Sequence, residues 1–345
     1  MRYGNDTMPN SEDLRTRVMQ QAQGAMALQI AFIGVANGLF DALATDLSIV
    51  ELTHLTRLDA GYLKRWCDAA YAFGYLDVRD TRCEVTELGR AFATAAQGSL
   101  MPFAVQAVLG AHMAERATGL MRTGERPGES VLAERATILP LFGPMLEASF
   151  GALFEREILP TLPVFAEVDA RGGTVVDLGC GNGWYLRKLA ARFPKLRGIG
   201  LDGFEENVRQ AAERAGAAGL GSRLTFKSGD IYDYTIDEPV DALAMNRALH
   251  HVWDQKAKVF AIIRDALRPG GVAVIWEPSW PASIEALREP RRRGMAFQNL
   301  SEHVQGNHFL RPDEIEDAFR SVGMRPETTL FADGTEAVVT GIRES

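Results

Sequence analysis

Apolar residues recur at helical spacing through residues 11–40, and almost no charged residue follows Arg17 in this stretch. A helix with so few charges must be buried, and another subunit is one surface that would bury it. Two shorter helical patterns follow at residues 48–55 and 59–73, and Ser48 with Glu51 three residues later is typical of a capping box. The beginning of the chain is therefore predicted to be mostly helical.

The pattern then changes to two short runs with strand character, residues 75–79 and 83–86, which predict a hairpin across Asp80-Thr81-Arg82. Two helices followed by a hairpin are the order of a winged helix, a fold that often binds DNA. The second helix carries charges of both signs: Lys64, Arg65, Asp59 and Asp68. Because no basic stripe forms, contact with nucleic-acid phosphates is disfavoured and a dimerisation module is the preferred interpretation.

Farther along, apolar runs of strand length alternate with helical patterns, which indicates an α/β domain with a parallel sheet. The strand-like runs and a final pair of strands lie near residues 174–178, 198–202, 240–245, 271–277, 328–331 and 337–342. Before them, residues 101–165 form helical patterns broken by prolines. We therefore divide the chain into three segments: 1–100, 101–165 and the α/β domain at 166–345.

Composition limits the classes of function. The 345 residues suggest more than one core, and 45 acidic against 37 basic residues give a net charge of -8, which does not favour a polyanion as partner. Three unevenly spaced cysteines form neither a disulfide framework nor a zinc knuckle, so a reducing cytoplasm is expected. We recognise neither a signal peptide nor a membrane span, and expect a small-molecule substrate without nucleic-acid or membrane partners.

Candidate chemistry begins where the run at 174–178 breaks into closely spaced glycines. Asp177 precedes Gly179, Gly181 and Gly183 in the spacing G-x-G-x-G, which lets a backbone approach a ligand at the start of a helix. The sixth position of a dinucleotide fingerprint needs Gly or Ala, but here it is Trp184. The loop therefore predicts a nucleotide-type pocket that does not bind NAD.

Four motifs in this order resemble those of class I S-adenosylmethionine (SAM) dependent methyltransferases. They are the glycine loop, the run Gly198 to Asp202, the run Phe226 to Ile231, and Leu267 to Glu277 with its Arg-Pro-Gly-Gly turn. The resemblance implies a Rossmann-like, seven-stranded SAM domain in which Asp202 accepts the ribose hydroxyls, Asp230 faces the adenine amino group and Ile231 packs on the ring. Gly203 and Asn246 are expected to complete the cofactor site.

The preceding segments resemble the N-terminal part of small-molecule O-methyltransferases, which dimerise through a winged-helix domain. This implies that residues 1–100 mediate a homodimer and that residues 101–165 roof the substrate pocket. Phe142, Phe150 and Phe154 are candidates to line the roof, although their helical spacing is equally typical of core residues.

Four of the six histidines lie after the predicted fourth strand, at His250, His251, His303 and His308. In the resembling O-methyltransferases this position reads His-Asp, and the His takes the proton of the acceptor. His250 matches that base, and Glu277 matches an acid that orients it. His251 departs from the pattern, because it stands where the family usually has Asp.

The departure suggests a different chemistry. Metal-dependent 2-oxo acid C-methyltransferases are similar in having adjacent ligands after the fourth strand and a His about fifty residues later, and His251 and His303 are 52 residues apart. We therefore predict His250, His251 and His303 as ligands of a divalent or ferric ion, Zn or Fe, with His308 as an alternative to His303.

The favoured acceptor on this interpretation is the enolisable carbon of a 2-oxo acid, with Arg247 or Arg291 to Arg293 available for its carboxylate. Metal-free O-methylation with His250 as general base is the alternative. A winged-helix regulator that senses SAM is a hypothesis of another class, and the acidic balance of the chain argues against it.

Overall fold

The computed structural model describes residues 11–344, apart from residues 95, 97, 129–130, 132–133, 136 and 237. The chain divides into two compact units, Met1–His112 and Met113–Ser345. Within the described ranges, no helix combines the length and the apolar character that a membrane span needs.

The first unit is mostly helical, as predicted. Its helices are α1 (Ser11–Ala36), α2 (Leu39–Ala42), α3 (Ile49–Thr56), α4 (Ala60–Ala72), α5 (Glu87–Arg90) and the beginning of α6 (Met101–Thr123). Strands β1 (Leu47–Ser48), β2 (Leu76–Arg79) and β3 (Arg82–Val85) form a small antiparallel sheet in the order β1-β3-β2.

Local sequence signals explain these elements. The capping box is confirmed, since Ser48 Oγ accepts the Glu51 N–H at 3.3 Å and Glu51 Oε2 accepts the Ser48 N–H at 2.8 Å. Asp80 and Thr81, with φ of +46° and +72°, form the two-residue connection of the hairpin. The two helices and the hairpin thus lie in the order that a winged helix requires, while the winged-helix assignment and its role in dimerisation stay predictions.

Four aromatic rings form the centre of the first unit: Phe40, Trp66, Tyr75 and Phe92. Trp66 Nε1 and Tyr75 OH donate to the carbonyl groups of Ile30 and Ala27, both at 3.1 Å, and so hold the second half of α1. The expectation that the whole first stretch is buried is wrong within this chain. Five apolar side chains of α1 are 42–62% exposed: Leu14, Val18, Met19, Met26 and Ile33.

The second unit is built on one sheet of seven strands in the order β6-β5-β4-β7-β8-β10-β9. The strands are β4 (Thr174–Leu178), β5 (Arg197–Asp202), β6 (Leu224–Ser228), β7 (Val240–Asn246), β8 (Leu267–Pro278), β9 (Met324–Phe331) and β10 (Glu336–Arg343). β10 is antiparallel to both of its neighbours, whereas the pairs from β6 to β8 are parallel. The predicted Rossmann-like mixed sheet is confirmed.

Helices of the second unit cover both faces of this sheet. They are α7 (Leu139–Leu153), a π-helical turn (Phe154–Ile158), α8 (Leu159–Thr161), α9 (Val164–Arg171), α10 (Trp184–Arg192), α11 (Glu205–Ala217), α12 (Lys256–Ala266), α13 (Pro290–Val304) and α14 (Pro312–Ser321). Along β8, Trp276 belongs to the core on one face and Ile275 to the core on the other. Burial on both faces explains why these strands are continuous apolar runs rather than alternating ones.

Parallel strands bring their carboxyl ends to one edge of the sheet, and this edge positions the candidate chemistry. β4 leads into the glycine loop, β5 ends at Asp202, β7 ends at Asn246, and the parallel part of β8 ends beside Glu277. The short 3₁₀ turn at Leu249–Gln255, which follows β7, carries His250 and His251.

Candidate active site

The three glycines of the loop after β4 have different physical tasks. A Cβ atom at Gly179 would lie 2.6 Å from the Cβ of Ala248, and one at Gly183 would lie 2.6 Å from the Phe226 ring, so packing requires both glycines. At Gly181, with φ +53°, no described atom lies within 4 Å of that position. The backbone at Gly181 therefore borders open space in which a ligand fits.

Asp202 ties this loop to the next helix. Its Oδ2 accepts the Gly181 N–H at 2.8 Å, while Oδ1 accepts the Phe204 N–H and the Asn207 side-chain amide, both at 3.0 Å. Gly203 beside it also borders open space. The acid predicted to contact the ribose thus lies at the expected edge and holds the glycine loop in place.

Three buried polar atoms at this edge have no hydrogen-bond partner among the described residues: Asp177 Oδ1, Asn182 Nδ2 and Asn246 Oδ1. Burial, and then the negative charge of Asp202, raises the pKa of Asp177 well above its ordinary value. Two unpartnered acceptors and one unpartnered donor match a ligand that carries an ammonium and a carboxylate, as the methionine part of SAM does. The residues present therefore fit SAM.

The predicted adenine contacts lie on the neighbouring strand. Asp230 is exposed after the end of β6, and its Oδ1 accepts the Tyr232 N–H at 2.8 Å at the start of a 3₁₀ turn. Ile231 is half-buried beside it, and the Gly229 N–H donates to the Asp202 carbonyl at 3.0 Å. Asp230 and Ile231 are therefore placed close to the ribose residue along the same edge.

The next feature of the edge is a buried histidine–carboxylate pair. His250 Nδ1 lies 2.6 Å from Glu277 Oε2, and the two side chains are 4% and 0% exposed. Glu277 Oε1 accepts the backbone N–H of Leu249 at 2.7 Å and that of His250 at 3.3 Å. Burial alone would raise the pKa of Glu277, but the His250 ring, Arg247 and His251 outweigh it and hold that pKa below its ordinary value.

A second carboxylate lies on the other side of His250. Glu302 Oε2 is 3.7 Å from His250 Nε2, and His250, His251 and Glu302 offer ligand atoms within 4.8 Å of one another. The side-chain amide of Asn307 lies 2.8 Å from His251 Nδ1. Each histidine ring has an outer partner at Nδ1: Glu277 for His250 and Asn307 for His251. Two such histidines and a carboxylate form a donor set that fits a divalent metal such as Fe or Zn.

His303 is not in this group. The sequence predicts it as the third metal ligand, but the structure places it in the last turn of α13 with an exposed side chain. The preceding residue, Glu302, joins the two histidines instead. Successive residues of a helix point about 100° apart, so a step of one residue turns the side chain to another face. His308 is exposed as well.

Arg247 is already engaged with protein groups. Its Nη1 lies 2.7 Å from Glu336 Oε2, and its guanidinium carbon lies 4.1 Å from the centre of the Phe150 ring. Its role toward a substrate carboxylate stays a prediction, made by a guanidinium that already pairs with Glu336.

The arginines of the insertion are engaged too. Arg292 donates to the carbonyl groups of Ser279 at 3.1 Å and Gly334 at 2.7 Å, and Arg291 pairs with Asp333 at 2.7 Å. Arg293 donates to the carbonyl group of Arg288 at 3.1 Å. These contacts fix the start of α13 to the turns around it.

The three phenylalanines expected in the roof separate into two kinds. Phe154 is fully buried and packs against Tyr185 and Trp276, so it belongs to the core. Phe142 and Phe150 are half-buried on α7. A Cβ atom at Gly143 on the same helix would lie 2.5 Å from the Asn182 side chain, so α7 passes directly against the glycine loop.

Sequence reasoning missed three residues of this region. They are Glu302, Asn307 and Glu336. Glu302 had a weak signal, because it stands next to a histidine that was singled out. Glu336 had none, because it reaches the site only through the pairing of β10 with β8.

Comparisons with known proteins agree with this geometry. Residues 175–271 match the family model described as a methyltransferase domain. A trans-aconitate 2-methyltransferase of Streptomyces avermitilis is 34% identical over 35% of this chain and 44% of its own length. A 3-hydroxy-5-methyl-1-naphthoate 3-O-methyltransferase of Streptomyces sahachiroi is 28% identical over 76% of each chain.

The fold is shared over nearly the whole length. A crystal structure of human N-acetylserotonin methyltransferase in complex with SAM superposes with a TM-score of 0.71 at 18% identity, covering 98% of this chain and 100% of the other. The sequence matches to the first three curated relatives span only 32%, 44% and 34% of those proteins. Residues 175–271 are therefore assigned to a methyltransferase domain, within a chain whose fold is that of the SAM-bound methyltransferase over nearly its whole length.

Proposed function

We propose that this chain transfers the methyl group of SAM to a hydroxyl group of a small molecule, with His250 as general base. The observation that carries the proposal is the buried contact of 2.6 Å between His250 Nδ1 and Glu277 Oε2. It supplies a base with a defined tautomer beside a loop that fits SAM.

Glu277 sets that tautomer. Its pKa is held low, and an ionised carboxylate only accepts hydrogen bonds, so His250 Nδ1 carries the proton and donates it. The lone pair is then on Nε2, the atom that takes a proton from an acceptor. Since the other Glu277 oxygen is held by two backbone N–H groups, the imidazole has a fixed orientation.

When bound, SAM supplies a methyl group on a sulfonium, and an electron-rich oxygen that attacks this carbon in line would displace the sulfur as the neutral thioether S-adenosylhomocysteine. The chain has to hold the hydroxyl in line and remove its proton. The close packing of Gly179 against Ala248 supports this, because it joins the glycine loop to the residues that lead into His250.

Charge at the acceptor end favours a neutral acceptor. Glu277 faces His250 and Arg247 is paired with Glu336, while the Glu302 carboxylate lies 3.7 Å from His250 Nε2. A carboxylate placed next to the reacting hydroxyl would be repelled by Glu302. We therefore place a phenol-like hydroxyl ahead of a 2-oxo acid.

Metal-dependent C-methylation of a 2-oxo acid is the second candidate, favoured by the group of His250, His251 and Glu302. These residues would hold the metal, and a divalent ion there would polarise a carbonyl group and stabilise an enolate. Glu277 and Asn307 would then act as the outer partners of the two rings.

Transfer of a labelled methyl group from SAM to a panel of phenols and 2-oxo acids separates the candidates. We expect methylated phenols with or without chelator, a loss of about 10²- to 10⁴-fold in His250→Ala, and normal turnover in His303→Ala. Transfer only to 2-oxo acids and only with metal, with metal content lost in Glu302→Gln, would establish the second candidate instead. SAM binding without transfer to either class would contradict both.

We also propose a homodimer that covers α1. Five exposed apolar side chains on α1, four of which follow its last charged residue, Arg17, support it, because a lone surface helix normally turns such residues inward. Val18→Glu with Met19→Glu should give a monomer by light scattering, whereas Gln23→Glu, an exposed polar position on the same helix, should not. A wild-type monomer at micromolar concentration would contradict this proposal.

A further inference from the structure

Arg247 links the strand that leads to His250 with two other elements of the second unit. It directly follows β7, its φ is +56°, and its backbone N–H donates to the Trp276 carbonyl at 2.7 Å. A left-handed conformation is unfavourable for a residue with a side chain, so surrounding contacts must hold it. The direction in which the chain leaves β7 toward His250 depends on that conformation.

The side chain of Arg247 provides those contacts. Nη1 lies 2.7 Å from Glu336 Oε2 at the start of β10, and the guanidinium stacks on Phe150 of α7 at 4.1 Å. Trp276 Nε1 donates to the same Glu336 oxygen at 2.8 Å. One buried carboxylate therefore joins the end of β7, the start of β10 and, through the arginine, the helix that passes against the glycine loop.

We infer that Glu336 is a positioning residue for methyl transfer: through Arg247 it fixes the turn that carries His250 relative to α7. The inference rests on the proposed role of His250 for its kinetic consequence, but not for the contacts themselves. In the described contacts Glu336 touches neither His250 nor the residues predicted to bind SAM, so its effect passes through its two partners, Arg247 and Trp276. The Arg247 variants test the first of these routes.

Burial makes the arrangement specific. The Arg247 and Glu336 side chains are only 11% and 9% exposed. Removing one partner leaves the other as an uncompensated buried charge, whereas removing both does not. The two residues should therefore behave as one unit in a double-mutant cycle.

The chain offers a matched control. Arg291 and Asp333 form an arginine–carboxylate pair of the same length, 2.7 Å, but with side chains 51% and 79% exposed. Asp333 is only three residues from Glu336, so the control tests a nearby ion pair that does not hold the turn before His250.

The experiment measures amide hydrogen exchange, SAM affinity by calorimetry, and kcat and KM for a hydroxyl acceptor of the wild-type enzyme. In Glu336→Gln and Arg247→Met we expect faster exchange in both α7 and residues 246–252, and kcat lower by about 10- to 100-fold with SAM affinity unchanged. The double variant should be no worse than the poorer single variant. Arg291→Met with Asp333→Asn should match the wild type.

Faster exchange in only one of the two segments, or a lower melting temperature with normal kcat, would overturn the inference. If Glu336→Gln does not fold, Arg247→Lys decides, because it keeps the charge and loses the planar stack on Phe150. A wild-type enzyme that methylates no hydroxyl would refute the proposed function, while the exchange result would still test the positioning contacts.

Discussion

The candidate site has two ends along the sheet edge: a cofactor end at the glycine loop and an acceptor end at His250. Buried acids are paired differently at these two ends. At the cofactor end, Asp177 and Asp202 are both buried, Asp177 Oδ1 has no partner among the described residues, and no described cation neutralises the pair. At the acceptor end, Glu277 faces His250 and Glu336 faces Arg247. The first end is built for a cation that arrives with the ligand, and the second is balanced before any ligand binds.

The comparison assigns a different task to each end. An end with excess negative charge gains binding energy from the ammonium and sulfonium of SAM. A balanced end gains little from charge, and in the proposed function it provides a base of fixed tautomer. Changing Asp177 at the cofactor end should therefore alter the affinity for SAM, and changing Glu277 at the acceptor end should alter turnover.

The largest expected effect is at the acceptor end. Glu277→Gln keeps the size of the side chain but presents an amide to His250, so the tautomer is no longer set, and turnover should fall by about 10²- to 10⁴-fold. SAM affinity measured by calorimetry should stay at the wild-type value. Loss of SAM affinity to the same degree as turnover in Glu277→Gln would contradict the assignment of separate tasks to the two ends.

The next effect is at the cofactor end. Asp177→Asn removes the charge that awaits the SAM cation, and SAM should bind about 10- to 100-fold more weakly by calorimetry. Asp233→Asn, an exposed acid nearby, should bind SAM normally. Normal SAM binding by Asp177→Asn would show that the buried acid has no electrostatic role.

The same variant should change the pH dependence of stability. The pKa of Asp177 is raised in the folded protein, so its favourable contribution is present at low pH and is lost as the pH rises through the folded pKa. Without SAM, the melting temperature of Asp177→Asn minus that of the wild type should therefore increase as the pH rises from acid to neutral. A difference that stays constant with pH would contradict the burial of an ionisable acid at this position.

The smallest effect concerns acceptor charge. Among matched probes, 1-naphthol should be methylated about tenfold more efficiently than 1-hydroxy-2-naphthoate, because the added carboxylate lies beside the reacting hydroxyl and near Glu302. Relative kcat/KM measures this preference. The reverse order would favour a chelated metal, which binds adjacent oxygens.

The geometry of each end can be predicted from the sequence to the degree that its residues lie close together in the chain. The glycine loop, Asp177 and the strand after it lie close together in the chain, so their spacing determines their geometry and the fold could be predicted. His250 and Glu277 end neighbouring parallel strands, and sheet topology brings them together. A resemblance to known motifs was sufficient for these residues.

The rest of the acceptor end depends on details that spacing does not contain. Glu302 and His303 are adjacent in the chain, and only the rotation of α13 decides which one faces His250. The pairing of Arg247 with Glu336, 89 residues later, has no sequence signal and could not be predicted. The proposed acceptor therefore depends on which charged side chains are buried and paired, and the sequence shows only that these side chains are present.

The most direct test of the account is methyl transfer by protein freed of metal. The purified enzyme is treated with chelator, its metal content is measured, and transfer from SAM to 1-naphthol and the other phenols of the panel is followed with and without added divalent ions. A base that acts through His250 and Glu277 predicts undiminished transfer by the metal-free protein. Transfer that disappears with the metal and returns when it is added would contradict the account and assign His250 to a metal site.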